Sequence, residues 1–326
     1  MKAVHFSDFT GTAIEFRDVP EPSGPNAGQV LVRVKAAGVN RADLIQAAGK
    51  YPPPEGYSPY IPGLEFAGEV AACGSSADAW RIGDRVFGIV AGEAQAEYVL
   101  TNTSVIERIP DRLSFTQAAA VPEAFITAHD AVFTQARLTA GETLLIHAVG
   151  SGVGLAALQM AKAAGIKVVG TSRTAEKTDR CLDLGLDSAI VATEPAFADK
   201  VLAATDGRGA DVILDLVGGA YFAENVRSLA HKGRLMLVGL TSGRRSEIDL
   251  GMLLTKRAAV IGTTLRARSM AEKAAATRAF ASQFIPKIAS GEITPVIDRI
   301  FPAAEVREAY RYLASNKSFG KVILEF

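Results

Sequence analysis

The chain has 326 residues, 48% of them hydrophobic and 21% charged, which is typical of globular proteins and enough for two domains. Its 35 Lys and Arg residues balance 35 Asp and Glu residues, so a formal net charge of zero excludes a general attraction to nucleic acid or to an anionic membrane surface. The two cysteines have no metal-ligand or redox spacing. Neither a signal peptide nor an apolar run of about 18 residues is found, so we expect a cytosolic protein without a membrane span.

The first part of the chain shows short strands between glycine and proline turns. Residues 30–35, 66–71 and 84–90 have the apolar spacing of strands, and another strand begins within residues 92–99. This pattern predicts a mostly antiparallel β domain.

From Thr116 onwards, helices and strands alternate. A helical region opens at residues 117–123, and the strands after it are predicted at residues 143–148, 168–170, 190–192, 212–216, 234–238 and 260–265. Six strands with helices between them predict a doubly wound parallel sheet.

A glycine-rich turn joins the first of these strands to a helix. Gly150, Gly152 and Gly154 alternate, and a helix-forming segment follows as far as Gly165. Such glycines let the backbone approach a pyrophosphate, and the free N–H groups of the helix start hold its charge. The spacing differs from the usual Gly-x-Gly-x-x-Gly, so packing without a ligand is the alternative for the turn alone. We interpret His147, at the strand end, as a packed residue rather than an acid–base catalyst.

The end of the second strand indicates which nucleotide is bound. A site for NAD is expected to place Asp or Glu there for the ribose hydroxyl, whereas this chain has Gly170 and Ser172, then Arg173 and Lys177. A hydroxyl and two cations are groups that hold a 2′-phosphate, so NADPH is favoured over NADH. The alternative is a solvated loop and helix start.

The last segment does not continue the alternation. Its predicted elements are a helix at about 270–290, a proline-bounded extended stretch at 293–302, an amphipathic helix at 304–313 and a strand at 320–326. We expect this tail to return to the first domain. The expected domains are therefore residues 1–120 with 290–326, and a dinucleotide-binding domain of residues 121–289.

Several motifs, in their order, resemble the medium-chain dehydrogenase/reductase superfamily. They are Asn-Arg-Ala-Asp at 40–43, Gly-Lys-Tyr-Pro-Pro-Pro at 49–54, Gly-Leu-Glu at 63–65, Gly-Asp-Arg-Val at 83–86, Gln-Ala-Ala-Ala at 117–120, the turn at 147–154 and Asn-Lys-Ser-Phe-Gly-Lys at 316–321. Within the superfamily the chain is most similar to the zinc-free quinone oxidoreductases, relatives of ζ-crystallin. The resemblance spans nearly the whole chain and implies an α/β protein in which a doubly wound Rossmann domain is inserted into a mostly antiparallel β, GroES-like catalytic domain.

The chain departs from the zinc-dependent alcohol dehydrogenases of that superfamily. By resemblance, Asn40 stands where they have a Cys ligand and Leu64 where they have a His ligand, and the cysteine-rich structural zinc lobe is missing. Glu65 alone does not make a tetrahedral zinc site. We therefore expect no metal site and hydride donation to an electron-poor acceptor. Asp43, Glu65 and Arg85 are expected to form structural ion pairs.

The resemblance also implies residues of the site. Asn40 and Tyr51 are predicted to be catalytic, by hydrogen bonding to the reduced oxygen or to the nicotinamide amide. The expected cofactor-binding residues are Asn40, Tyr51, Thr127, Ser151, Gly152, Val153, Gly170, Ser172, Arg173, Lys177, Gly239, Leu240, Leu265 and Asn316. The alternatives are a turn-forming role for Asn40 and an aromatic packed on prolines for Tyr51. Some family members carry a Tyr where this chain has Ile45, so Tyr51 is the phenol that remains nearby.

The leading hypothesis is an NADPH-dependent reductase of quinones or similar conjugated carbonyls that acts without zinc. An enoyl reductase of α,β-unsaturated carbonyls or thioesters is a close alternative, because the same hydride geometry serves both. A non-catalytic NADPH-binding protein with a structural or RNA-binding role is a third, although the neutral charge argues against RNA. The family and a candidate sheet edge at 259–265 indicate a homodimer.

Overall fold

Two units divide the chain in the computed structural model, which describes all residues from Met1 to Phe326. The first unit comprises Met1–Ile126 and Leu265–Phe326, and the second comprises Thr127–Thr264. The chain therefore leaves the first unit, completes the second and then returns.

The elements are numbered in chain order. The strands are β1 (Lys2–Phe6), β2 (Ile14–Asp18), β3 (Gln29–Val39), β4 (Glu65–Cys73), β5 (Arg85–Ile89), β6 (Tyr98–Asn102), β7 (Ile106–Arg108), β8 (Thr143–Ile146), β9 (Lys167–Ser172), β10 (Ser188–Val191), β11 (Ala210–Asp215), β12 (Leu229–Leu237), β13 (Ala259–Gly262), β14 (Ile297–Pro302) and β15 (Lys321–Glu325). The helices are α1 (Arg41–Ala47), α2 (Phe115–Ala119), α3 (Pro122–His129), α4 (Gly152–Ala163), α5 (Ala175–Asp183), α6 (Ala198–Ala204), α7 (Phe222–Ser228), α8 (Leu250–Lys256), α9 (Met270–Ser290) and α10 (Val306–Ala314). A candidate membrane-spanning helix is not found among them.

The main sheet of the first unit has the strand order β14-β15-β3-β4-β5-β7, and β6 also pairs with β3. All of these pairs are antiparallel except β14 with β15, which confirms the mostly antiparallel domain. In β3, the buried side chains of Val30, Val32 and Val34 alternate with more exposed ones, so one face of the strand joins the core. Because β15 pairs with β3, the C-terminal tail returns to the first unit as expected.

The second unit contains a six-stranded parallel sheet with the order β10-β9-β8-β11-β12-β13. The predicted doubly wound sheet is thus confirmed, although β13 ends at Gly262 and not at residue 265. The central strands are buried on both faces: every residue of β8 and of β11 is buried, and Leu145, which lies between Val169 and Ile213 in the sheet, is as fully buried as these two neighbours. The strand order reverses between β8 and β11, and in open α/β sheets ligands bind at the carboxyl ends of the strands at such a point.

Helix α9 accounts for the difference between the observed units and the expected boundaries at 120 and 290. Arg112 donates a hydrogen bond to the carbonyl of Ile288 (2.8 Å), and the ring centroids of Phe125 and Phe280 lie 6.1 Å apart. These contacts hold α9 within the first unit. Sequence periodicity predicts such a helix but does not identify the surface on which it packs.

Candidate functional site

The glycine turn of the second unit joins β8 to α4. Ser151 is the N-cap of α4, and its hydroxyl accepts a hydrogen bond from the N–H of Gly154 (3.1 Å). Gly152 and Val153 occupy the first two helical positions, where backbone N–H groups have no acceptor within the helix. The structure thus brings the three predicted pyrophosphate contacts to one helix N-terminus at the carboxyl edge of the sheet, where an anion is favoured.

Gly154 allows α4 to approach the turn closely. A Cβ atom at this position would lie 2.6 Å from the carbonyl oxygen of Val149 and 2.7 Å from that of Ala148. Side-chain rotation does not relieve a contact with backbone atoms. This third glycine of the motif is therefore a requirement of helix–turn packing.

His147 lies behind the turn in a buried hydrogen-bonded network. Its Nδ1 is 2.8 Å from the hydroxyl of Thr171 and its Nε2 is 2.5 Å from Asn225 Oδ1, while Asn225 Nδ2 donates to Asp215 Oδ2 (3.0 Å). Because the oxygen of Asn225 faces the ring, we assign the imidazole proton to Nε2. Burial lowers the pKa of His147 to about 4, so the ring is neutral at pH 7. The interpretation of His147 as a packed residue is confirmed.

The predicted contacts to a 2′-phosphate lie where β9 leads into α5. Ser172 is the last residue of β9 and is buried, Arg173 follows it and is exposed, and Lys177 is half-buried in the first turn of α5. Gly170 lies within β9, where a Cβ atom would be 2.9 Å from Val149 Cγ1. It therefore packs against the glycine turn. No carboxylate occurs within β9.

Gly239, Leu240 and Thr127 are three further predicted cofactor contacts, and the structure does not join them through a common hydrogen-bond partner. The N–H of Gly239 donates to the carbonyl of Asp215 (3.1 Å), and the side chain of Leu240 is 48% exposed. The hydroxyl of Thr127 is buried and has no hydrogen-bond partner. A buried polar atom left in this way is destabilising by about 1–3 kcal/mol, so it is a place where a polar ligand group would be stabilising.

In the first unit, polar groups meet around Glu65 at the start of β4. Asn40 Nδ2 donates to Glu65 Oε1 (2.9 Å), and the N–H of Glu123 donates to Glu65 Oε2 (2.8 Å). The ammonium of Lys321 donates to Glu65 Oε1 (2.5 Å) and to Asn40 Oδ1 (2.6 Å). We call Asn40, Glu65, Glu123 and Lys321 the Glu65 cluster. Glu65 is 0% exposed and Lys321 is 5% exposed, so their ion pair is buried.

The residues of the Glu65 cluster do not fit a zinc centre. Structural and catalytic zinc takes thiolate, imidazole or carboxylate donors in a tetrahedral arrangement. Here the carboxylate of Glu65 and the amide oxygen of Asn40 both already accept hydrogen bonds from the ammonium of Lys321. No set of three or more His, Cys, Asp or Glu side chains is arranged to hold a metal ion.

The expected structural ion pairs are formed by Glu65 but not by Asp43 or Arg85. Glu65 pairs with Lys321 within the first unit, whereas Arg85 donates to a backbone carbonyl 2.6 Å away. Asp43 accepts from a neutral group, the side-chain amide of Gln95 (3.2 Å), and burial raises its pKa to about 6. The expectation is thus confirmed for Glu65 and wrong for Asp43 and Arg85, whose hydrogen-bond partners are uncharged.

Arg266 contacts both the ring and the backbone of Tyr51. Its guanidinium carbon lies 5.0 Å from the centroid of the Tyr51 ring. Its nitrogen atoms donate to the carbonyls of Ala91 (2.7 Å) and Tyr51 (2.9 Å) and to Gln46 Oε1 (2.6 Å). Burial, with a further contribution from the charge of Glu123, raises the pKa of Tyr51, so the phenol keeps its proton at pH 7.

The two remaining predicted residues belong to the returning part of the first unit. Asn316 lies between α10 and β15 with a φ of 59°, and its side-chain oxygen accepts a hydrogen bond from the guanidinium of Arg41. Leu265 is 7% exposed and is the residue at which the chain re-enters the first unit.

Sequence reasoning missed Lys321, Glu123 and Arg266, which link the parts of the first-unit site. Lys321 carried a signal, because it opens a strand whose next three residues, Val, Ile and Leu, are all apolar, and lysine is rarely buried without a partner. Glu123 and Arg266 carried no such signal. Glu123 follows a proline at the start of a helix, where an exposed acidic residue is common, and Arg266 lies outside every motif identified in the sequence.

Comparison with known proteins identifies the family of this chain. The protein family described as "alcohol dehydrogenase GroES-like domain" matches residues 26–130, and the family described as "zinc-binding dehydrogenase" matches residues 152–281. The quinone oxidoreductase of Homo sapiens is 32% identical over 99% of this chain and 97% of its own length.

Two solved structures cover the whole of this chain. A quinone oxidoreductase of Pseudomonas syringae is 30% identical with a TM-score of 0.88, and 99% of its chain is covered. A mycobacterial protein in complex with NADPH is 29% identical with a TM-score of 0.89, and all of its chain is covered. The chain therefore belongs to the medium-chain dehydrogenase/reductase superfamily, as an oxidoreductase of its quinone oxidoreductase branch with the fold that binds nicotinamide dinucleotides.

Proposed function

We propose that the protein uses NADPH to reduce quinones or similar conjugated carbonyls, without zinc. The observation that carries this proposal is the Glu65 cluster, in which an ammonium binds the carboxylate of Glu65 and the amide oxygen of Asn40. A carboxylate neutralised in this way is a poor metal ligand, so the site does not support polarisation of an alcohol by zinc. Hydride donation to an acceptor that is already electron-poor needs no such polarisation.

NADPH, when bound, supplies the hydride. Ser151, Gly152 and Val153 are proposed to hold its pyrophosphate with the N-terminus of α4. Ser172, Arg173 and Lys177 are proposed to hold its 2′-phosphate. The remaining proposed contacts are Asn40, Tyr51, Thr127, Gly170, Gly239, Leu240, Leu265 and Asn316. The unpartnered hydroxyl of Thr127 supports this assignment, because a nicotinamide amide has both donors and an acceptor to offer it.

Asn40 and Tyr51 are proposed to act on the acceptor. Asn40 gives one amide proton to Glu65 and accepts from Lys321, so one N–H remains for a ligand oxygen. Tyr51 offers a protonated phenol on a ring that Arg266 holds in place. A fixed aromatic ring also favours a flat conjugated acceptor by stacking worth about 0.5–1.5 kcal/mol.

Removing the two cations at the end of β9 should change nucleotide preference. The double variant Arg173→Ala/Lys177→Ala is expected to bind NADPH about 10–100-fold more weakly and NADH with unchanged affinity, because only NADPH carries a 2′-phosphate for charge-assisted hydrogen bonds. Fluorescence titration of both nucleotides measures this difference. Lys200→Ala, on α6 of the same unit, is the control and should bind both as the unaltered protein does. Equal losses for NADH and NADPH would remove the argument for the 2′-phosphate.

Acceptor preference tests the reaction itself. Steady-state oxidation of NADPH is expected with 1,2-naphthoquinone at a higher kcat/KM than with a crotonyl thioester. Dominant turnover of the thioester would identify an enoyl reductase instead, and no turnover with either acceptor would reject catalysis altogether.

We also propose a homodimer that forms at the β13 edge of the second unit. β13 is the last strand of its sheet, and Leu250 and Leu254, one turn apart on α8, are 67% and 78% exposed. Pairing of two β13 edges about a twofold axis would cover unpaired backbone groups and bring apolar surfaces together.

Light scattering should give twice the chain mass of 34.3 kDa. Leu254→Lys should reduce this to the monomer mass and Leu182→Lys, a 44% exposed leucine on α5, should not. A monomer mass for the unaltered protein rejects the dimer.

A further inference from the structure

The segment from Tyr51 to Pro59 in the first unit is rich in proline and belongs to no helix or strand. Prolines stand at positions 52, 53, 54 and 59, and a proline has no backbone N–H to donate. Such a segment makes few backbone hydrogen bonds of its own, so its place in the fold depends on donors that reach its carbonyl groups from elsewhere. We call residues 51–59 the proline loop.

Arg266 binds the first end of the proline loop. Its Nη1 donates to the carbonyl of Tyr51 (2.9 Å), its Nε donates to the carbonyl of Ala91 (2.7 Å), and its guanidinium carbon lies 5.0 Å from the centroid of the Tyr51 ring. Arg266 is 4% exposed, and all three of its hydrogen bonds go to uncharged oxygens. The guanidinium therefore joins the ring and the backbone of Tyr51 to a second segment of the unit.

Gln46 of α1 carries this contact to the other end of the proline loop. Its Oε1 accepts from Nη2 of Arg266 (2.6 Å), and its Nε2 donates to the carbonyl of Pro59 (2.9 Å). Because a guanidinium only donates and a carbonyl only accepts, the two partners fix which way the amide of Gln46 faces. Gln46 is 1% exposed. One chain of hydrogen bonds thus holds both ends of the proline loop, and we call Gln46 and Arg266 the loop clamp.

The loop clamp requires these two residue types. A guanidinium presents its N–H groups in a fixed plane, so it can donate in three directions at once, whereas the ammonium of a lysine is a single compact group. At position 46, an amide supplies both the acceptor for Arg266 and the donor for Pro59. A carboxylate there would keep the first of these contacts and lose the second.

We propose that Gln46 and Arg266 are positioning residues that make the acceptor site selective for flat acceptors with several rings, because they hold the ring of Tyr51 in one place. This inference rests on the proposed function, in which Tyr51 contacts the acceptor. Stacking between aromatic rings depends on their separation and offset. A ring that moves with a loose loop loses this contact, and the loss is larger for an acceptor with more rings.

Gln46→Glu tests the loop clamp at one hydrogen bond. In the unaltered protein, KM is expected to fall from 1,4-benzoquinone through 1,2-naphthoquinone to 9,10-phenanthrenequinone, as the area that stacks increases. In the variant, KM for 9,10-phenanthrenequinone should rise about fivefold, and KM for 1,4-benzoquinone should change by less than about twofold. The value of kcat should stay within about twofold for each quinone, because the lost contact is the same in the ground state and the transition state.

Three further variants separate the clamp from a change of charge. Gln46→Met removes the donor to Pro59 without adding a charge and should give the same pattern of KM values as Gln46→Glu. Arg266→Lys leaves the carbonyl of Tyr51 without its fork-shaped partner and should raise KM for 9,10-phenanthrenequinone at least as much. Gln283→Glu is the matched control, because it makes the same change of charge at an exposed glutamine of α9 in the same unit. It should leave every KM unchanged.

Hydrogen exchange tests the loop clamp without turnover. The N–H of Ser58, next to Pro59, donates to Glu93 Oε1 (2.7 Å), so it is protected while the proline loop keeps its place. Exchange of this N–H should be about tenfold faster in Gln46→Glu and Gln46→Met and unchanged in Gln283→Glu. Exchange in β3 and β4 should be the same in all of these proteins, which shows that the sheet remains folded.

The outcomes separate this inference from the function on which it rests. Absence of NADPH oxidation by the unaltered protein with all three quinones rejects the reductase and the specificity role together. Unchanged exchange of the Ser58 N–H in both Gln46 variants rejects the loop clamp, whatever the activity. Faster exchange with an equal change of KM for the three quinones, or with no change for any of them, rejects the role in specificity alone.

Discussion

Replacing Lys321 by methionine is expected to lower the free energy of unfolding by about 3–5 kcal/mol, because it breaks a buried ion pair. Methionine retains most of the length and apolar stem of lysine but removes the ammonium. The carboxylate of Glu65, which is 0% exposed, then remains buried without its charge partner, and the amide oxygen of Asn40 loses its donor. Urea unfolding at pH 7, followed by circular dichroism, measures the change.

A second substitution distinguishes charge from packing. Lys321→Met/Glu65→Gln removes both charges and is expected to recover most of the lost stability, because no buried charge is left unpaired. Lys317→Met, an exposed lysine four residues earlier, is the control and should lie within about 0.5 kcal/mol of the unaltered protein. A single variant Lys321→Met as stable as Lys317→Met would show that the ion pair contributes nothing.

The architecture was predictable because it depends on local patterns. Most strands of the parallel sheet contain a short apolar run, such as Leu-Leu-Ile in β8 and Val-Ile-Leu in β11, and helices alternate with these strands along the chain. The β8–turn–α4 unit follows from three glycines within five residues, and the structure places Ser151, Gly152 and Val153 at the helix start as expected. Patterns that span a few residues are read directly from the sequence.

The polar centre of the first unit was only partly predictable, because its contacts join distant parts of the chain. The hydrogen bond from Lys321 to Asn40 links residues 281 positions apart, and the one from Lys321 to Glu65 links residues 256 apart. No motif spacing encodes such a pair. Sequence reasoning identified Asn40 and Leu64 as residues at the positions of zinc ligands and Glu65 as insufficient for a zinc site, but it did not find the cation that binds Asn40 and Glu65.

The same long-range packing distinguishes the acids of the first unit. Asp43, Glu65 and Glu123 are chemically similar, and nothing in their sequence neighbours distinguishes them. The fold gives Glu65 a lysine and Asp43 a capping N–H with a side-chain amide. Burial raises the pKa of Asp43 to about 6 and that of Glu123 to about 8, so tertiary contacts decide how these two acids titrate.

Gly38→Ala is expected to lower the free energy of unfolding by about 3–5 kcal/mol. The loss does not come from backbone strain, because Gly38 does not have a positive φ. Gly38 lies in β3 opposite Ile323 of β15, and the side chain of Glu65 packs on it. A Cβ atom there would lie 2.0 Å from Glu65 Oε1 and 2.6 Å from Glu65 Cδ, so the carboxylate has to leave. In leaving, Glu65 gives up the ammonium of Lys321 and the other hydrogen bonds of the cluster.

The matched control for this substitution is Gly24→Ala in the same unit. A Cβ atom at Gly24 would meet nothing within 4 Å, so the stability should change by less than about 0.5 kcal/mol. Urea unfolding at pH 7, followed by circular dichroism, compares the two variants. If Gly38→Ala were as stable as Gly24→Ala, the strand would have room for a methyl group and the position of Glu65 would not depend on a glycine beneath it.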